Sequence, residues 1–374
     1  MSLESSSVRH PDAVVIGGGI IGSSIALRLA QAGLRVTVFD RGRAGAEASS
    51  AAAGMIAPQA EKTGPPEFDD LCRASHSLYP EFAAEMEALS GQAANYRRDG
   101  TLLLALDEEQ ERELDRIEAG AVERQDAEAA RRQVPGLAAD IRRALFLPGD
   151  HSVDNKLLTR AVIEAARRQG VIFEENAPVR RIVVRHDRAE GIETDRGRVA
   201  ASEVILAAGC WSGALAATAG VEIPMDPCRG QMLEFELASA LPVVVRAGHH
   251  YLVPRAGDAV IVGTTAEYAG FEATVTAAGL ASVLQAALRL APFLAAGRFR
   301  RAWAGLRPDT ADHLPVLGRS GIGGLTLATG HFRNGILLAP VTARLIADLV
   351  VGGAAPAALE PFRADRFALA AARS

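Results

Sequence analysis

The chain has 374 residues, 49% of them hydrophobic and 23% charged, with a formal net charge of −5. Such a composition belongs to a folded globule of two domains, or one domain with a large insertion, and excludes a disordered or fibrous chain. The balance is mildly acidic and mixed along the chain, so there is no basic footprint for nucleic acid and charge names no partner.

The 3 cysteines, Cys72, Cys210 and Cys228, form no CxxC pair. Neither a disulfide framework nor a zinc site is expected, and packed thiols in a reducing compartment are. Positive charge is nearly all arginine, and Lys62 and Lys156 are the only lysines. The opening MSLESSSVRHPD is a polar arm without the apolar segment of a signal peptide, and the apolar C-terminal run is interrupted by Pro340, Arg344 and Asp348. A cytoplasmic protein without a membrane span is the expectation.

Residues 12–41 read DAVVIGGGIIGSSIALRLAQAGLRVTVFDR. AVVI and VTVF have the pattern of buried parallel strands, and ALRLAQAG between them has helical spacing that stops at Gly33. Gly17, Gly19 and Gly22 form G-x-G-x-x-G at the strand-to-helix turn. The first allows the turn, the second lets the backbone approach a pyrophosphate, and the third lets helix and strand pack closely. The pyrophosphate then meets unpaired N–H groups at the positive end of the helix, at Ile20 and Ile21. Asp40 ends the second strand, placed to accept hydrogen bonds from an adenosine ribose, with Arg41 beside it. This order of parts marks a dinucleotide site. It leaves NAD and FAD both open, and a βαβ unit without ligand is the plain alternative.

AEASSAAAGMIAP (46–58) is almost all small residues. Plain helix is one reading, but Gly54 and Pro58 break it. A small-residue loop beyond the acid suits close backbone approach to an extended cofactor, through Ala48, Ser49, Ser50, Ala53, Gly54 and Met55. TLLLAL (101–106) reads as a strand, and 107–133 as a charged helix with a solvated face. Further strands are expected in ENAPVRRIVV (175–184) and in VILAAGCWS (204–212), where Ala208-Gly209 makes a tight turn before Trp211. QMLEFEL, HHYLVPR and AVIVGTT then predict an antiparallel sheet, with RAGD (255–258) as a hairpin turn.

Tyr251, one of 4 tyrosines, lies on the HHYLVPR strand and could be an ordinary half-buried aromatic. Arg307, in WAGLRPDT (303–310), has the planar, permanently charged fork that binds a carboxylate bidentately. An ion pair with Asp309 or Asp312 is its structural alternative. In LTLATGHFRNGILLAP (325–340), His331, Arg333 and Asn334 stand between two apolar runs, where polar groups are costly without partners. Arg333 and Asn334 could cap the following helix; a bulky arginine in a glycine-flanked loop is better explained by an anion.

The GxGxxG unit, the S-x-AAAGM loop, WAGLRPDT and GHFRNGILLAP together resemble the glycine oxidase branch of the D-amino acid oxidase family, over about residues 12–350. The resemblance implies an α/β plus α+β fold: a discontinuous Rossmann-like FAD-binding domain (10–89, 146–218 and 301–374) with an inserted substrate domain on a mostly antiparallel sheet (90–145 and 219–300). It implies Val179 at the adenine, and Ala208, Gly209 and Trp211 beside the cofactor. His331, Phe332, Arg333, Asn334, Gly335, Ile336 and Leu337 would lie against the isoalloxazine, with helix N–H groups favouring the charge of reduced flavin.

Arg307, helped by Arg333, would clamp the substrate carboxylate, and Tyr251 would orient the substrate. A small amino acid, with glycine first and sarcosine or small D-amino acids also turned over, would lose a hydride to FAD. The imine would hydrolyse to the oxo acid and ammonia, and molecular oxygen would yield hydrogen peroxide. A link to thiamine thiazole synthesis and a homo-oligomeric assembly are implied as well. Sarcosine oxidases of related type attach flavin to a late cysteine; no cysteine follows Cys228, so non-covalent FAD is expected. Neither Lys62 nor Lys156 falls in a flavin-facing motif. His249 and His250 are read as strand residues without a role. A D-amino acid dehydrogenase with another electron acceptor, and a non-catalytic flavin-binding protein, are the competing readings.

Overall fold

A computed structural model describes residues 10–60, 64–117 and 122–371. The start of the polar arm and Lys62 lie outside them. The β-branched runs AVVI and VTVF are β1 (Ala13–Ile16) and β2 (Val36–Phe39), buried throughout, with α1 (Ile20–Gln31) between them. Next come the one-turn α2 (Ala48–Ala51), β3 (Met55–Ile56) and the long α3 (Pro66–Ser90). They are followed by β4 (Thr101–Ala105), α4 (Glu108–Asp115), β5 (Glu123–Gln125), α5 (Ala127–Gln133), β6 (Arg143–Leu147), β7 (His151–Ser152) and α6 (Asn155–Arg168). The middle of the chain supplies β8 (Ile172–Glu174), β9 (Val179–Arg185), β10 (Arg188–Thr194), β11 (Gly197–Ala200), β12 (Glu203–Leu206) and α7 (Ser212–Ala217). Then follow β13 (Met225–Glu236), β14 (Val244–Ala247), β15 (His250–Pro254), β16 (Ala259–Gly263), β17 (Glu267–Tyr268) and α8 (Ala277–Leu290). The last elements needed are β18 (Arg298–Thr310), β19 (Val316–Arg319), β20 (Leu325–Thr329) and α9 (Gly335–Gly352).

One sheet has 6 strands in the order β19-β20-β12-β1-β2-β8, parallel except for β19. Alternate residues go to opposite faces, as the pleat requires. Val15, Val38 and Ile205 join the core under α1, α3, α6 and α9. Val14, Phe39 and Val204 join a second core shared with the antiparallel sheet β11-β10-β9. The apolar run of α9 is long enough to cross a membrane by length and hydropathy; here most of it is buried, against α1, α3 and the sheet.

A second sheet has 9 strands, ordered β17-β13-β16-β15-β14-β4-β6-β5 with β18 along the other edge of β13. All its pairings are antiparallel except β14 with β4. Leu233, Val245, Leu252 and Val262 pack with α8 on one face. Met232, Tyr251, Val253 and Ile261 take the other, facing Ala53 of the small-residue segment.

Three expectations change. The charged stretch 107–133 is not one helix: Asp107 caps α4, and Asp126 caps α5 as a separate start after β5. Residues 118–121 of it lie outside the described ones. The segment 46–58 is a one-turn helix, α2, before the turn at Gly54 rather than loop throughout. Finally, the divisions at 145/146 and 300/301 fall inside β6 and β18. β18 pairs with β13 up to Thr310, because a strand keeps its backbone groups bonded along its length, and so the large sheet itself carries Arg307.

Candidate active site

The C-terminal ends of β1, β2, β12 and β20 and the Tyr251 face of the large sheet enclose a cavity of about 700 Å³. In open parallel sheets this is where ligands bind. Every expected cofactor residue lines it except Gly22, Ser50, Asn334 and Leu337. These four stand behind the wall. A Cβ at Gly22 would collide with Gly17 O, so its role is helix–strand packing. Ser50 Oγ donates to Gly45 O at 2.6 Å, Leu337 belongs to the main core, and buried Asn334 precedes α9 without a side-chain capping bond.

At the first turn, Gly17 has φ of 105°, and a side chain there would collide with Ala207 O. The first intrahelical bond of α1 is Ser23 N–H to Gly19 O at 2.9 Å, and ahead of it Ile20 N–H donates to Ser49 Oγ at 2.9 Å. Gly19, Ile20 and Ile21 line the cavity at the positive end of the helix, and the Ile20 N–H, expected unpaired, is engaged by Ser49. Asp40 does more than the sequence suggested. Its Oδ2 accepts from Gly18 N–H and its Oδ1 from Gly42 N–H, each at 2.8 Å, which holds the turn and leaves one lone-pair direction per oxygen. Arg41 stacks on Trp211 with its guanidinium carbon 4.2 Å from the ring centroid.

The small-residue segment is held through its carbonyls. Asn155 Nδ2 donates to Ser49 O at 2.7 Å, Trp303 Nε1 to Ala51 O at 3.0 Å, and Arg255 Nη2 to Ala53 O at 2.7 Å. None of these donors was expected from the sequence, because each is remote in the chain from the carbonyl it holds.

At the far wall, Arg307 reaches over Gly230, where any Cβ would collide with the guanidinium. Its Nη2 donates to Thr264 Oγ1 at 2.9 Å and its Nη1 to Thr265 O at 3.2 Å. Among the described residues no carboxylate pairs with it. Asp309, only 2% exposed, instead accepts from the Tyr268 hydroxyl at 2.7 Å and pairs with His313 Nδ1 at 2.8 Å. Asp312 pairs with Arg366 at 2.7 Å. The ion-pair alternative for Arg307 is therefore not realised. Arg333 and Tyr251 line the same cavity, and so do Thr264 and Met232, which the sequence reading missed. Strand alternation puts Met232 on the Tyr251 face only once the β13–β16–β15 register is known.

His331 is buried, with Nε2 3.1 Å from Thr342 Oγ1, and burial depresses it to about 3, so it is neutral near pH 7. Burial, then the charges of Arg333 and Arg246, lower His249. The carboxylates on the wall are Asp40 and Glu47, and no His–carboxylate pair stands among the lining residues.

The family described as FAD dependent oxidoreductase matches residues 12–349. The chain belongs to this family. It is 37% identical over 365 residues to the bifunctional protein ThiO/ThiG of Trichormus variabilis, covering 95% of this chain and 55% of that protein. The chain thus spans about half the length of the first curated relatives it matches. It is 37% identical over 344 residues to the glycine oxidase of Pseudomonas aeruginosa, covering 91% of this chain and 94% of that one. The crystal structure of glycine oxidase from Geobacillus kaustophilus superposes with a TM-score of 0.91 at 33% identity, covering 96% of this chain and 99% of that one.

FAD is the cofactor, and the cavity fits it. Bare glycine backbone at a helix N-terminus and an acid at the end of β2, both on the cavity wall, suit a pyrophosphate and a ribose.

Proposed function

We propose that the protein oxidatively deaminates glycine, with sarcosine and small D-amino acids as further substrates. In balanced form, glycine, oxygen and water give glyoxylate, ammonia and hydrogen peroxide. The observation that carries this reading is the cavity-facing guanidinium of Arg307, held by Thr264 and Thr265 and not neutralised by any carboxylate among the described residues. An amino acid carboxylate supplies the missing charge, and a guanidinium binds it bidentately.

Pyrophosphate and ribose would be held by the Gly17–Gly19 turn and Asp40, adenine by Val179, and the flavin ring by the residues around His331 to Ile336. Bound without a covalent link, FAD supplies the two-electron acceptance that side chains lack. The chain's own part is placement. Arg307, with Arg333 on the same wall, fixes the carboxylate end, while Tyr251 and Met232 bound the space around the α-carbon. Holding the substrate in a reactive pose supplies much of the acceleration. No protein base is required of this site, and His331 stays neutral as a structural donor or acceptor to Thr342.

Similarity to ThiO/ThiG proteins supports a place in thiamine thiazole synthesis, where the chain would supply the oxidised glycine. A cytoplasmic, homo-oligomeric enzyme without a membrane span completes the reading. The test is peroxide release by the purified protein with glycine, sarcosine and D-alanine at equal concentration. Peroxide with glycine leading is expected; flavin reduction by these amino acids without peroxide in air would overturn the oxidase assignment.

A further inference from the structure

Pro340 lies early in α9, yet the helix continues from Gly335 to Gly352. Proline has no N–H, so Ile336 O, four residues back, loses its partner in the helix, and the ring crowds it. One side chain of α3 fills this gap and a second bonds the next rung. The Tyr79 hydroxyl donates to Ile336 O at 2.8 Å. Ser75, one turn earlier on the same helix face, donates through Oγ to Leu337 O at 2.6 Å and accepts from Val341 N–H at 3.4 Å. The two hydroxyls thus engage the ladder on either side of the proline.

Both residues are 0% exposed. Tyr79 stacks on Tyr96 with ring centroids 5.7 Å apart and meets Phe82 edge-on at 5.9 Å. Packing alone would be served as well by Phe and Ala, and a buried hydroxyl without a partner is costly. Burial, with the neighbouring Tyr96, also raises the Tyr79 hydroxyl well above its ordinary value, so it remains a donor. The turn they hold is the one whose Gly335 and Ile336 line the cavity.

We propose that Tyr79 and Ser75 are positioning residues for the flavin: they fix the first turn of α9, where Pro340 breaks the ladder, so that Gly335 and Ile336 keep their place on the cavity wall. Helices kink at proline, and the first turn would otherwise swing about it. Its leading amides carry the positive end of the helix, which favours an anionic reduced flavin. The inference rests on the placement of the flavin ring proposed above.

The test uses the full chain with FAD and reads two quantities besides turnover: the FAD dissociation constant by fluorescence and the flavin midpoint potential by dye equilibration. Tyr79→Phe should weaken FAD binding about tenfold and make the potential more negative. Pro340→Ala returns an N–H to Ile336 O, so in that background Tyr79→Phe should weaken binding no more than about twofold. Ser75→Ala should move both quantities in the same direction, and serves if Tyr79→Phe does not fold. A lower melting temperature with unchanged FAD affinity and potential, or a loss that Pro340→Ala does not relieve, overturns the proposal. Wild-type protein that binds FAD but does not oxidise glycine would sink the glycine reading and leave this one standing.

Discussion

Tyr251 and Met232 meet across Gly263: the tyrosine hydroxyl lies 3.4 Å from Met232 Sδ, and both residues pair with Gly263 in the sheet register. A Cβ at Gly263 would lie 2.7 Å from Met232 Sδ and 2.7 Å from the Tyr251 ring. Gly263→Ala should therefore displace both side chains, at a packing cost of about 1–3 kcal/mol. The Michaelis constant for glycine should rise roughly tenfold with FAD retained. Steady-state oxygen uptake checks this, and unchanged kinetics would remove Tyr251 and Met232 from the substrate wall.

Arg307→Ala should raise the Michaelis constant for glycine about 100-fold while the protein stays yellow. Gly230→Ala provides an independent route, since the added methyl would collide with the guanidinium without removing it. The two variants should fail in the same way. Full activity in Gly230→Ala, with an ordered fold, would contradict the position assigned to the clamp.

Asp40→Asn keeps the shape of the side chain but offers one acceptor oxygen where two backbone N–H groups, of Gly18 and Gly42, now donate. One of them is left facing an amide NH₂. FAD affinity should fall about tenfold, since hydrogen bonds to a charged group are the stronger kind. A titration of apoprotein with FAD decides, and wild-type affinity would show that the acid holds neither turn nor ribose.

Acid should destabilise the fold through His331. Its folded value, about 3, lies below the ordinary 6.5, so the unfolded chain binds the proton more readily between those values. The stability is complete above pH 6.5 and is lost as pH falls toward about 3. Burial likewise depresses His151, to about 4, and adds a loss of the same sign. Melting temperature should therefore fall from about pH 7 to about pH 5, and His331→Gln should flatten that fall. An equal slope in the variant would assign the acid sensitivity elsewhere.

Much of this was legible in the chain because it is local. Strand, glycine turn, helix and acid follow one another within residues 12–41, and the apolar runs and helical spacing there state the elements. Arg307 was even with a structural ion pair on its residues alone, and the WAGLRPDT resemblance decided for a carboxylate. What escaped was register. Nothing local to Met232, Thr264 or Gly230 says that they meet Tyr251 and Arg307, because antiparallel pairing across β13, β15, β16 and β18 joins them. The split of 107–133 escaped for a different reason: charge and helix propensity run through it, while one cap at Asp126 restarts the helix. Tyr79 and Ser75 were invisible because a proline more than two hundred residues later gives them their role.

The three donors on the Ser49, Ala51 and Ala53 carbonyls have a mechanical consequence. Trp303 belongs to the large sheet, Arg255 follows its strand β15, Asn155 belongs to a helix packed on the parallel sheet, and together they stitch the segment between the two. A rigid-body swing that opened the large sheet away from the parallel one would have to tear Trp303 and Arg255 from their carbonyls together, each bond contributing on the order of 1 kcal/mol. The spacing between the Arg307 wall and the Gly19 turn, on opposite sides of the cavity, is thereby biased toward a single value.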